Sequence, residues 1–166
     1  MQSTKFKFVS KAMNQMMNQI LRNKTVRRYI TYIGKQHPLD AGIPDISPVK
    51  VFEENVYFKI YTEEVLSDEK VVLFLNPIEQ DYENISLGLD FYQLDIVVPE
   101  NAWEIKKGMH REIRAYSILH EIAKEIDQQK ITGIGEVTIQ RSFMQSMTKG
   151  YSIVSTVIMV NTSMRA

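Results

Sequence analysis

Residues 119–127 read LHEIAKEID, one substitution away from a metal-hydrolase signature. H-E-x-x-H on a helix puts two histidines on one face to hold zinc and leaves the glutamate to act as general base. Here the run is His120-Glu121-Ile122-Ala123-Lys124. Lys124 takes the place of the second histidine, and an ammonium offers a metal no lone pair. His110 would lie about three turns away on a continuous helix, too far to share an ion with His120. The chain has no cysteine, so a thiolate site is excluded as well. The simpler reading is a packing helix. His120 is half-buried at the flank of its apolar stripe, and Glu121, Lys124 and Glu125 make a charged outer face.

Other catalytic patterns are missing. There is no phosphate-binding G-x-x-x-x-G-K-[ST] and no G-x-S-x-G nucleophile elbow. "TGIGEV" at 132–137 has a G-x-G core, but it follows a helix and precedes a strand, the wrong order for a dinucleotide fingerprint. Ser142 and Ser146 have no neighbouring histidine, and Asp90 and Asp95 fall on opposite faces of one strand. Asp95 sits in an apolar run where an unpaired carboxylate is costly, so an arginine from the 111–114 turn is its expected structural partner. No catalytic, cofactor-binding or metal residue is assigned, and the expectation is a protein that is not an enzyme.

Those residues need a scaffold. The strongest helix is expected at about 109–128, with Met109, Ile113, Tyr116, Leu119, Ala123 and Ile126 on its inner stripe. Before it, "KVVLFLN" (70–76) reads as a strand covered on both faces and ended by Asn76-Pro77. "GLDFYQLDIVV" (88–98) reads as a long alternating strand stopped by Pro99. "NVYFKIYTEE" (55–64) also alternates, while "ENAWEIKKGMH" reads as a loop. After the helix come strands over "VTIQRSFM" and "YSIVSTVIMV" (151–160), joined by a hairpin at "QSMTKG". At the N-terminus, Met13, Met16, Met17, Ile20 and Leu21 form a helical stripe in residues 10–22, with Ser10 as cap. A second short helix is expected with Thr25 as cap and Gly34 as stop. Residues 36–48 hold three prolines and a glycine and read as a loop containing His37. The order is α-α-β-β-β-α-β-β. It gives an α+β fold: an N-terminal helical arm (1–36), a Pro-rich linker (37–50) and a body (51–166). The body's mixed or antiparallel sheet of about five strands carries one long helix on a face.

The 20 basic and 20 acidic residues cancel overall, but not locally. Residues 1–39 hold Lys5, Lys7, Lys11, Arg22, Lys24, Arg27, Arg28 and Lys35 and no acid, so the body carries the compensating negative charge. Such a split points to an acidic partner: the chain's own body, another copy, nucleic acid or a membrane surface. Contact residues expected from it are Lys5, Lys7, Lys11, Arg22, Lys24, Arg27 and Arg28, with Glu121 and Glu125 as the acidic counterpart. No apolar run approaches the roughly 18 residues of a membrane span.

One combination is more specific than any single motif. "ILRNKTVRRYITYIGKQHPLD" is followed by "YQLDIVVPENAWEI", a helix with an early arginine, and "KITGIGEVTI". This order resembles the neck and tail-terminator proteins of tailed bacteriophages. The matching residues are Asn23, Pro38, Leu39, Asp95, Ile96, Val97, Trp103, Arg114, Ile118, Glu121, Ile122, Gly133, Ile134 and Gly135. The chain departs from the pattern at Ile20-Leu21-Arg22-Asn23, which keeps a head-completion adaptor or stopper open beside a terminator. The resemblance implies a structural virion protein without cofactor, forming a ring with copies of itself, often hexameric. Such a ring lies between head connector and tail, against connector and tail-tube or sheath proteins, with DNA passing nearby. It also implies that the basic arm reaches a neighbour's acidic body.

Overall fold

The computed structural model describes residues 2–34, 37–60, 62–66, 70–81, 88–145 and 150–162. Its helices are α1 (Gln2–Arg22), α2 (Lys24–Thr31), α3 (Pro48–Asn55) and α4 (Arg114–Ile126). Its strands are β1 (Val56–Tyr57), β2 (Val72–Asp81), β3 (Leu89–Pro99), β4 (Glu104–Lys107), β5 (His110–Ile113), β6 (Gln129–Ile131), β7 (Gly135–Gln145) and β8 (Tyr151–Asn161). Six strands form one sheet in the order β1-β2-β3-β8-β7-β6, and β4 and β5 form a separate hairpin. Every pair in the large sheet is antiparallel except β1 with β2. The α+β class and the mixed sheet therefore stand, with six strands in place of about five.

β3 follows the alternation read from sequence. Tyr92, Leu94, Ile96 and Val98 enter the main core beside Leu73 and Leu75 of β2 and Val154, Ile158 and Val160 of β8. The other face carries a small second cluster of Val72, Phe74, Val97 and Ile153, with the Tyr57 ring stacked on Phe74. β2 does not end at Asn76-Pro77. It runs on to Asp81 through a register shift between Pro77 and Glu79, with Pro77 on the outer strand where a missing N–H costs no ladder bond.

Three helices, not one, cover the main face. Met13, Met16, Met17, Ile20 and Leu21 of α1 lie in the same core as the sheet, each at most 5% exposed. Burial of each such side chain stabilises by about 1.5–3 kcal/mol, so this segment is an integral wall of the core. Ser10 lies within α1, which starts earlier than expected. The cap of α2 is Asn23 instead of Thr25: its Oδ1 accepts from the amides of Thr25 and Val26 at 2.8 and 3.2 Å. α2 ends at Tyr32, whose amide reaches Arg28 O, so Gly34 is not its stop. The Pro-rich segment ends in α3, because Ser47 accepts from Lys50 N and Pro48 has the backbone angle of a first helical turn. That helix takes Asn55, the first residue of the expected strand, and the strand itself, β1, shrinks to Val56–Tyr57.

α4 begins at Arg114, five residues later than expected. The chain from Glu104 to Ile113, expected to be loop and then helix, is the β4–β5 hairpin. The buried stripe is Ala115, Ile118, Ile122 and Ile126, one position round the wheel from the expected one. Met109 is fully exposed at the hairpin turn, and Ile113 and Tyr116 are exposed too. After α4, β6 pairs with the start of β7 across the turn Gly133-Ile134-Gly135. Gly135 has φ 118°, and a Cβ there would overlap the carbonyl of Asn161, so only glycine fits. The expected β7–β8 hairpin is present, although residues 146–149 of its connection, including Ser146, lie outside the described residues.

Candidate functional site

A polar cluster lies where α2, the loop after it, the β4–β5 hairpin and α4 meet. Its centre is Glu112 on β5. Tyr29 Oη and Ser117 Oγ both donate to Glu112 Oε2 at 2.9 Å. Nε2 of His37 and Nε2 of His110 lie 3.5 and 3.6 Å from the other oxygen. The His37 ring meets Tyr29 edge-on at 6.4 Å. A surface groove of about 460 Å³ opens beside the cluster, also lined by Tyr116, His120 and Glu121. Thus His110 and His120, which a single helix would hold three turns apart, line one groove, because His110 is on a strand that folds back beside the helix. His120 is exposed and not half-buried.

The electrostatics hold the cluster together as a lock. Burial works to raise the Glu112 carboxyl, but the hydrogen bonds from Tyr29, Ser117 and His37 prevail and hold it below the usual range. Burial, then the bond to and charge of Glu112, push the Tyr29 phenol well above its ordinary value. A general base works best with a pKa near the working pH. Here the carboxylate stays ionised and the phenol stays protonated around neutrality. Among the described residues no group of three or more His, Asp or Glu side chains is placed to hold a metal ion.

Of the sequence-predicted contact residues, Arg27, Arg28, Glu121 and Glu125 are engaged within the chain. Arg27 is 6% exposed. It donates to Leu21 O at 2.6 Å, Arg22 O at 2.9 Å, Ile46 O at 2.7 Å and Asp45 Oδ2 at 2.9 Å. Arg28 donates to Ile43 O. Lys7, Lys11, Arg22 and Lys24 are exposed, with the end of Lys11 lying over Gly133, and the Lys5 side chain is outside the described residues. Glu121 and Glu125 each accept from Asn23 Nδ2 at 3.1 Å, while Lys124 closes on Glu121 at 2.6 Å. Burial opposes ionisation of Glu121, but Lys124 and Asn23 keep its carboxyl below the usual range. The outer face of LHEIAKEID therefore receives the chain's own α1–α2 junction.

Asp95 is not paired with an arginine. It is 3% exposed and accepts from Ser155 Oγ at 2.5 Å and Gln93 Nε2 at 2.9 Å, across neighbouring strands and along its own. Arg114, the expected partner, is buried among carbonyls instead: Ala102 O at 2.8 Å, Tyr29 O at 2.9 Å and Tyr32 O at 3.0 Å. Burial pushes its guanidinium down to about 10, and the nearby Tyr29 and Glu112 oppose that. Glu112, Tyr29, His37 and Ser117 were not singled out together from sequence. Tyr29 and His37 lie 83 and 75 positions from Glu112, and no local pattern links them.

Fold and cluster together define an α+β protein in which a polar constellation braces α2 and α4 against the β4–β5 hairpin. The chain belongs to the YomW family, whose sequence model matches residues 14–160. No curated protein matches the chain. Among solved structures it is similar to a chain of the virion of a native gene transfer agent (GTA) particle. The identity is 8%, the TM-score 0.40, and the match covers 74% of this chain and 85% of that one.

Proposed function

We propose that the protein is a structural subunit of a phage-type virion neck, a tail terminator that closes the tail tube and joins it to the head connector. It acts by assembly as a ring, hexameric as in the proteins its sequence resembles. The observation that carries this reading is where the resembling residues fall. Asn23 caps α2 and ties it to α4; Asp95, Ile96 and Val97 lie buried on β3; Trp103 O accepts the Arg114 amide that starts α4. Arg114 is the buried keystone, Ile118 and Ile122 are core, and Gly133, Ile134 and Gly135 make the β6–β7 turn. These positions set architecture, which is what a ring subunit must preserve. No helix among the described residues is long and apolar enough to cross a membrane.

The test is the mass and negative-stain image of the full chain, followed by its addition to growing tail tubes. Discrete rings that stop tube elongation are expected. A chain that stays monomeric at high concentration would overturn the reading. Rings that bind the head connector but ignore the tube would make it an adaptor or stopper. Steeply salt-dependent binding to free DNA without rings would favour a DNA-binding accessory role through Lys7, Lys11, Arg22 and Lys24.

A further inference from the structure

The large sheet has two long outer segments that no described strand covers. β1 pairs only with Leu73 and Phe74, which leaves the rest of β2 up to Asp81 as an edge. β6 pairs only with Gly135 to Val137, which leaves Arg141–Gln145 of β7 as the opposite edge. Natural sheets shield such edges, since open N–H and C=O groups recruit another strand. These two instead expose large apolar side chains: Ile78 at 48%, Phe143 at 40% and Met144 at 51%.

The edges are complementary. Register places Glu79 and Asp81 on the sheet face away from the helices, level with Phe91 and Leu89. Arg141 and Phe143 lie on the same face, level with Val157 and Ser155. One edge is therefore acidic and the other basic and aromatic, with the Arg141 guanidinium 5.8 Å from the Phe143 ring centre. β2 and β7 also run in opposite directions within the sheet, so β7 of one copy meets β2 of a similarly oriented copy antiparallel.

We infer that the acidic β2 edge of one copy pairs with the basic β7 edge of the next, making one sheet continuous from subunit to subunit. Arg141 then stands opposite the neighbour's Asp81, and Phe143 opposite its Glu79. Pro77 has no N–H to offer and confines pairing to the outer end of the β2 edge. Because the two edges differ, the contact is head-to-tail, the kind that generates rings when the rotation closes. Within one copy Asp81 is level with Glu136, and the register shift between Ile139 and Arg141 takes up one residue, so pairing Asp81 with Arg141 slides each copy four ladder positions along the strand direction. A closed sheet absorbs such a stagger by tilting its strands to the ring axis.

This inference rests on the ring reading and is tested so that the two fail separately. The full chain is compared with Arg141→Glu, Asp81→Arg and the double variant by sedimentation and negative stain, with circular dichroism as the check on folding. All these side chains are exposed, so the folded subunit is expected to survive. Each single variant, placing like charges opposite each other, should weaken assembly at least about tenfold, and the double variant should restore it. Because the chain has no cysteine, chains carrying Glu79→Cys and Phe143→Cys report the contact directly, as disulfide-linked pairs in the mixed assembly. A wild-type chain that stays monomeric overturns the ring reading and this inference with it. Rings that persist unchanged in folded Arg141→Glu, a double variant no better than the singles, or assembled chains that never cross-link overturn the edge pairing alone.

Discussion

Arg114 and its near neighbour Glu112 hold Tyr29 at both ends. The backbone carbonyl of Tyr29 accepts from Arg114 Nη1 at 2.9 Å, while its hydroxyl donates to Glu112, two residues before that arginine. One short stretch between the hairpin and α4 thereby fixes the position and direction of α2. Arg114 is 2% exposed and donates to the carbonyls of Ala102, Tyr29 and Tyr32, so it acts as a structural donor. Replacement by alanine leaves Ala102, Tyr29 and Tyr32 carbonyls without that donor. It should lower stability in urea by on the order of 3 kcal/mol. Lysine keeps the charge but not the planar fork and should recover only part of the loss. Full recovery by lysine would mean that charge alone matters there.

Asn23 offers a sharper discrimination. Replacement by alanine should cost about 1 kcal/mol from the lost cap, with a further loss because Glu121 and Glu125 lose a shared donor. Aspartate ordinarily caps a helix as well as asparagine does. Here it would set a third carboxylate against two others, so Asn23→Asp should be no more stable than Asn23→Ala at low salt, and should gain as salt is added. Thermal melts at two ionic strengths check this, and an aspartate variant as stable as wild type would break the account.

Glu112 predicts a pH dependence. Its folded carboxyl lies below the ordinary 4.5, so it contributes stability above that value and loses it as pH falls through the lower folded value. Glu112→Gln should reduce stability at neutral pH by roughly 1–2 kcal/mol and make the acid limb of the stability profile shallower. Unfolding free energies from neutrality down to acid pH measure both. An acid limb of unchanged slope would place the proton uptake elsewhere, for instance at Asp40, Asp45 or Glu121, whose carboxyls are also held low.

Strand alternation was the most legible signal. β3 and β8 appear within a residue of their expected bounds, because each is buried in the middle of the sheet with side chains alternating between its faces. Helix α4 was visible, but its start and its face were not. Met109, Ile113 and Tyr116 have helical spacing, yet a hairpin exposes them, while the residue that is buried, Arg114, is the type that periodicity assigns to the surface. The hairpin itself was hidden by its lysines. α3 was hidden behind prolines that read as loop, although one of them opens the helix. The net charge of the first 39 residues was real, but charge says nothing about whether the carbon stem under it is buried, and here the segment beneath is core. The Glu112 cluster had no local signature, since its members meet only after the helices dock.

The place of β8 sets a temporal order on folding. The last described strand inserts between β3 and β7, which do not touch without it. A nascent chain that has not yet released residues 151–161 from the ribosome therefore presents two long, unpaired inner edges, on β3 and on β7. Pairing across such sequence separation is slow, and uncovered edges are aggregation-prone while it waits. The sheet therefore closes from its middle, once β8 is available, and a chain without residues 151–161 would lose the join between β3 and β7.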